Sequence, residues 1–181
     1  MMRPAKPTSA GDPLMPSMYQ LAVPLLLGRM KVLSMLLKKG DAFAKEKGFD
    51  PEVLIQSRLA PDMFPLLRQV QIATDMAKSA AARLTGAENP PFADNETSLA
   101  ELQQRIARVI TFLKGFKAAQ FDAAESRAVT LQLRSGSMEF NGQDYLLNWV
   151  LPNVYFHVSM AYSILRHNGV EVGKRDYLGK I

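Results

Sequence analysis

A chain of 181 residues with 48% hydrophobic side chains is the size of one domain with a well-developed core. It has no cysteine, which excludes disulfides, thiolate metal sites, iron–sulfur clusters and cysteine nucleophiles. The net charge of +5 is spread thinly, +1 over residues 1–16, +2 over 173–181 and +2 on the body, so no basic stripe points to a nucleic-acid partner.

Residues 1–16 hold four prolines among small polar residues and read as a flexible leader whose removal changes stability little. This start lacks the continuous apolar stretch of a signal peptide. The runs LAVPLLL (21–27) and YLLNWVLP (145–152) fall short of the roughly 20 residues of a membrane span. A cytoplasmic protein with no membrane partner is the expectation.

Ser17 is the expected N-cap of a long amphipathic helix that ends at Gly48 and bends at Pro24. Asp50 and Pro51 open a short segment through residue 60. Helix two is expected from Asp62, with Pro65 inside its first turn, to Gly86; its alanines let a neighbouring helix approach closely. A loop over AENPPFADNET leads to helix three, which starts near Thr97 and buries Leu99, Leu102, Ile106, Val109, Ile110 and Leu113.

The apolar period then changes to two. Val129, Leu131 and Leu133 line one face of a strand, Ser135 and Gly136 make the turn, and Met138 and Phe140 continue on the return strand. Helix four is expected from about Gln143 to Asn168, stopped by Gly169. Residues 170–181 read as an extended tail over the bundle. The whole is an all-α four-helix bundle with a β-hairpin before the last helix, a single domain over 17–181.

At 100° per residue, Leu146, Val150, Asn153, His157, Met160, Ala161, Ile164 and Leu165 share one sector of helix four. Asn153 and His157 therefore point inward together. His167, at the helix end, is expected to meet free carbonyls. Pro152 frees the carbonyl of Asn148, which needs another partner. The methionine and aromatic residues read as core rather than a cofactor box, no serine has a visible paired base, and no Gly-rich phosphate loop is present.

The segments APDMFPLLRQVQIATD in helix two and YLLNWVLPNVYFHVSMAYSILRHNGVEVGKRDYLG in helix four resemble the DUF1993 branch, a domain of unknown function, of the DinB-like superfamily, over roughly residues 17–179. That resemblance implies a left-handed four-helix bundle, commonly a homodimer. Better-studied relatives bind a divalent metal through three histidines, and some are thiol-dependent transferases or isomerases. Their last helix carries a histidine pair spaced by four, and setting ILRHNG against the motif's ending places that pair at Asn153 and His157. The third ligand comes from helix two, where this chain offers Gln71, with Asp75 one turn later.

One histidine with two amides is a poor zinc or nickel site, because amide oxygens are weak neutral ligands. No cofactor is therefore expected. His157 is expected to pack in the core, bonded to Asn153, Gln71, Tyr162 or a trapped water. The alternatives are a divalent metal on His157 and Asp75, or a metal-free ligand or catalytic site. Two functions follow: a non-catalytic or small-molecule-binding homodimer with a degenerate metal site, or a metal-assisted or thiol-dependent transferase or hydrolase acting on a small molecule at the bundle axis. Tyr19, Met30, Trp149 and Tyr155 are read as surface residues favouring the dimer.

Overall fold

The computed structural model describes residues 16–133 and 136–179. Apart from Pro16, the leader lies outside the described residues, as does Ser135 of the expected hairpin turn. The long first helix is α1 (Met18–Lys47), capped by Ser17, whose hydroxyl accepts from Gln20 N–H while the Gln20 side chain reaches back to the Ser17 amide. It runs unbroken through Pro24 and stops at Gly48, which takes the left-handed conformation (φ 72°). By length and mean hydropathy α1 could cross a membrane. Here Leu26, Met30, Leu33, Leu36 and Leu37 of the same helix are fully buried in the core.

A single turn, α2 (Glu52–Gln56), follows, and Asp50 Oδ1 accepts from the Glu52 amide at its start. Helix α3 spans Leu66–Thr85 and begins later than the sequence suggested. Residues 57–65 form a turn instead, held by a bond from Leu66 N–H to Ser57 O (2.9 Å), so Pro65 caps the helix rather than sitting inside it. Helix α4 (Leu99–Lys114) is capped by Ser98, and Glu101 reaches back to Thr97 N–H. The expected stripe on α4 is buried except for Ile110, which is half-buried.

Two 3₁₀ turns lead to the antiparallel hairpin β1 (Ala128–Leu133) and β2 (Gly136–Asn141), in which Val129 faces Phe140 and Leu131 faces Met138. Val129 and Leu131 are buried; Leu133 and Met138 are exposed. The last long helix is not one regular helix. One turn, α5 (Gly142–Asp144), passes through a π-helical segment, Tyr145–Val150, into α6 (Leu151–His167). At the junction Leu151 N–H donates five residues back to Leu146 O, and Pro152 follows with no N–H to give.

α1 packs on α4, α4 on α3, α3 on α6 and α6 on α1, a closed four-helix ring around one hydrophobic core. The alanines of α3 at 73, 77, 80, 81 and 82 are fully buried. The end of the chain is not simply extended. After Gly169 (φ 92°), residues 174–178 form a five-residue turn of helix, α7 (Lys174–Leu178), laid on α1. Carbonyls at the end of α6 are met by Asn168, whose amide donates to Ile164 O (2.7 Å), a role expected of the exposed His167.

The residues read as surplus surface side chains are at least half-buried within the chain. Met30 is fully buried, Tyr19 stacks edge-on against Phe121 (5.6 Å), Trp149 lies against Phe140 (6.0 Å), and Arg29 sits over Tyr155 (5.8 Å). The most exposed large apolar side chains are instead Val53 (58%), Phe64 (56%) and Phe156 (52%).

Candidate functional site

His157 is buried in the seam between α6 and α3, with Phe156 edge-on to its ring at 5.1 Å. Its Nδ1 lies 2.7 Å from Oε1 of Gln69, a buried residue of α3. Gln69 in turn donates from Nε2 to the carbonyl of Phe64 (3.1 Å). A backbone carbonyl only accepts, so the Gln69 amide is oriented with its oxygen toward the ring. The proton of the neutral imidazole therefore sits on Nδ1, and Nε2 keeps the lone pair. Burial, with the nearby Arg68 charge adding to it, pushes the pKa of His157 down to about 4. The histidine is thus neutral at physiological pH.

The partners expected of His157 are engaged elsewhere. Asn153 is half-buried, and its amide donates to Trp149 O (2.7 Å) on its own helix, next to the Asn148 carbonyl that Pro152 was expected to free. Tyr162 stacks edge-on against Tyr177 of α7 (6.0 Å), so it helps dock the tail. Gln71 is buried, but it donates to Glu96 Oε2 (2.9 Å) and accepts from Arg68 (3.1 Å).

Gln71 and Asp75 belong to a second polar cluster built around Arg105, which the sequence reading did not name. Arg105 is 1% exposed, on the apolar stripe of α4. Its Nε donates to Thr74 (2.8 Å), and Nη1 donates to Ala93 O (3.0 Å) and Glu96 (2.9 Å). Nη2 lies 2.9 Å from Asp75 and 3.0 Å from Asp94, contacts out of line for hydrogen bonds and therefore coulombic. Burial works against the Arg105 charge, but Glu96, Asp75 and Asp94 outweigh it and raise its pKa. Phe92 lies beneath Arg105, Lys78 and Arg108, and Arg68 pairs with Asp94. Together these contacts fasten the 87–98 connection onto α3 and α4.

This donor set does not fit a three-histidine metal centre. Among the described residues no three His, Asp or Glu side chains converge as a metal-holding group. Of the positions where the family motif would place ligands, Asn153 offers an amide already bonded to Trp149, and Gln71 is held between Glu96 and Arg68. Asp75 contacts Arg105 and Lys78 (3.4 Å), whose positive charges fill the role a cation would take and would repel one.

A closed four-helix bundle with a hairpin before its last helix is the architecture of the DinB-like class. The model of the domain of unknown function DUF1993 matches residues 18–178, and the chain belongs to that family. A crystal structure of a DinB family member protein from Shewanella denitrificans is similar at 46% identity, with a TM-score of 0.84, over 90% of this chain and 92% of that one. No curated protein matches.

Proposed function

We propose that this chain is a cytoplasmic, non-catalytic DinB-like bundle with a degenerate metal site, acting as a homodimer that binds a small molecule. The observation that carries the reading is the bond chain from His157 to Gln69 to the Phe64 carbonyl, which uses the one inward histidine to join α6 to α3. A ligand histidine needs neighbours that also coordinate; this one keeps a lone pair on Nε2, but it has no second imidazole beside it at Asn153, and Gln71 and Asp75 are engaged by Glu96, Arg68, Arg105 and Lys78. Dimer formation is supported by the exposed Phe64 and Phe156, which adjoin this same seam.

Elemental analysis of the purified chain tests the reading. The expected result is less than stoichiometric zinc, nickel, manganese or iron, with no change on His157→Ala. About one transition metal per chain, lost in that variant, would make His157 a ligand and favour the metal-assisted transferase or hydrolase instead.

A further inference from the structure

A groove of about 690 Å³ runs between α1 and α7, away from the His157 seam. Its floor is made by Pro24, Gly28, Val32, Met35 and Leu178. Pro24 and Gly28 are the two residue types least suited to a helix interior, and both lie within α1 on this face. A Cβ at Gly28 would meet nothing within 4 Å, so the backbone there is not forced to be glycine by packing. The local cost has no return in the folded core; what it leaves is room in the groove.

The groove's charge is one-sided. Arg29, Lys31, Lys39, Arg175 and Asp176 stand around it. Lys39 and Asp176 neutralise each other at 2.8 Å, and that bond with the Gly173 amide holds the Asp176 carboxyl below its ordinary pKa. Arg29 donates to the carbonyls of Tyr177 and Leu178 (both 2.8 Å), neutral acceptors that fix its direction without cancelling its charge. Among the described residues, Arg29, Lys31 and Arg175 have no carboxylate partner. An apolar floor under three uncompensated cations matches a molecule with a hydrocarbon body and one anionic end.

We propose that the α1–α7 groove binds an amphipathic carboxylate, its apolar chain along Gly28, Val32 and Met35 and its anionic end among Arg29, Lys31 and Arg175. This rests on the reading of the chain as a small-molecule-binding bundle and names the site and ligand class. Arg29 has a double part, since it also pins the α7 wall of the groove through the Tyr177 and Leu178 carbonyls.

Isothermal titration of the full chain with octanoate, octanamide and acetate tests the assignment. Octanoate is expected to bind once per chain, with octanamide and acetate each weaker by roughly tenfold or more. Gly28→Leu fills the floor with a better helix former, and is expected to abolish octanoate binding without lowering the melting temperature. Arg175→Glu, at an exposed position, should weaken octanoate by about tenfold and leave octanamide unchanged. Equal binding of octanoate and octanamide would overturn the anionic assignment while leaving a small-molecule site in place. Unchanged octanoate affinity in Gly28→Leu would overturn the groove as the site. A shift of Gly28→Leu from dimer to monomer mass would assign the groove to a second copy of the chain and overturn the proposal. Binding of none of the three probes overturns it too, whereas the non-catalytic reading stands or falls separately on metal content.

Discussion

Gln69 accepts the Nδ1 proton of His157 at 2.7 Å across the α3–α6 seam, and its own amide nitrogen is spent on the Phe64 carbonyl. The pair is therefore a directional strut between two helices. His157→Ala removes a buried ring and leaves the Gln69 oxygen without a donor, an expected loss on the order of 1–3 kcal/mol. Gln69→Leu strands the Nδ1 proton in the same way. Because each single change orphans a partner, the double variant His157→Ala with Gln69→Leu should cost less than the two singles added, by roughly 0.5–3 kcal/mol. Urea unfolding of the four proteins measures this, and strict additivity would show that the two residues do not act as a pair.

The same burial sets a pH dependence. His157 has a folded pKa of about 4, below its ordinary 6.5, so the unfolded chain takes up the proton first as the pH falls. Stability from the neutral ring is complete above pH 6.5, declines between 6.5 and about 4, and is fully lost below that. The expected loss is on the order of 3 kcal/mol across this window. His157→Gln, which cannot titrate, should flatten that part of the profile. Chemical unfolding of both proteins at pH 7.5, 5.5 and 4.5 checks it; parallel profiles would mean that the histidine titrates alike folded and unfolded.

Arg105 carries a separate prediction. Arg105→Met keeps an unbranched chain on the α4 stripe but deprives Glu96, Asp75 and Asp94 of their common cation. Removing one member of a fully buried ion pair costs about 3–5 kcal/mol; since Asp75 and Asp94 keep access to water, a loss of roughly 2–4 kcal/mol is expected. The effect should be local as well as global. Amide hydrogen exchange is expected to rise most in the 87–98 connection, which Arg105 holds through Ala93 and Glu96. Uniform acceleration across all helices would show that the cluster supports only the core.

The long helices were legible because their apolar spacing and their punctuation agree: Ser17 and Gly48 bound α1, and the stripe on α4 is buried nearly as read. The polar partners were harder. Gln69 lies three residues after Leu66 and four before Ala73, on the buried row that continues through Ala77 and Ala80, whereas Gln71 lies 200° away with Thr74, Asp75 and Lys78. Spacing alone could have picked the right glutamine. Arg105 carried the same signal, a charge three residues after Leu102 and four before Val109. The π-helical segment left no such mark, since Leu146 and Val150 are as compatible with an α-helix, and its cause lies in backbone bonding around Pro152. Likewise α7 is too short to show a period, and its docking depends on Arg29, Lys39 and Ser159, which are remote in sequence.

Gly142 shows how closely the hairpin exit is packed. A Cβ placed there would stand 1.9 Å from the carbonyl oxygen of Ala124, a backbone atom that cannot swing aside. Gly142→Ala must displace either the 3₁₀ turn Ala124–Ser126 or the start of the last helix. The expected penalty is about 1–3 kcal/mol or more, despite alanine's better helix propensity. Thermal melting checks this, and a melting point equal to or above that of the parent would mean that the turn yields freely.

The last prediction concerns self-association. Phe64 and Phe156 are 56% and 52% exposed, and each attaches to one end of the strut: Phe64 supplies the carbonyl that orients Gln69, and Phe156 stacks on His157. Two exposed phenyl rings flanking a helix seam form an apolar surface that a two-fold related copy could cover, each molecule offering the same patch to the other. Light scattering of the parent chain is expected to give a dimer mass at micromolar concentration. Phe156→Ser should shift it toward monomer while leaving thermal stability within about 1 kcal/mol of the parent, since an exposed ring contributes little to the core. Phe64→Ser should act in the same direction, whereas Leu25→Ser, at an exposed position of α1, should not. A monomer mass for the parent chain across the micromolar range would reject the dimer.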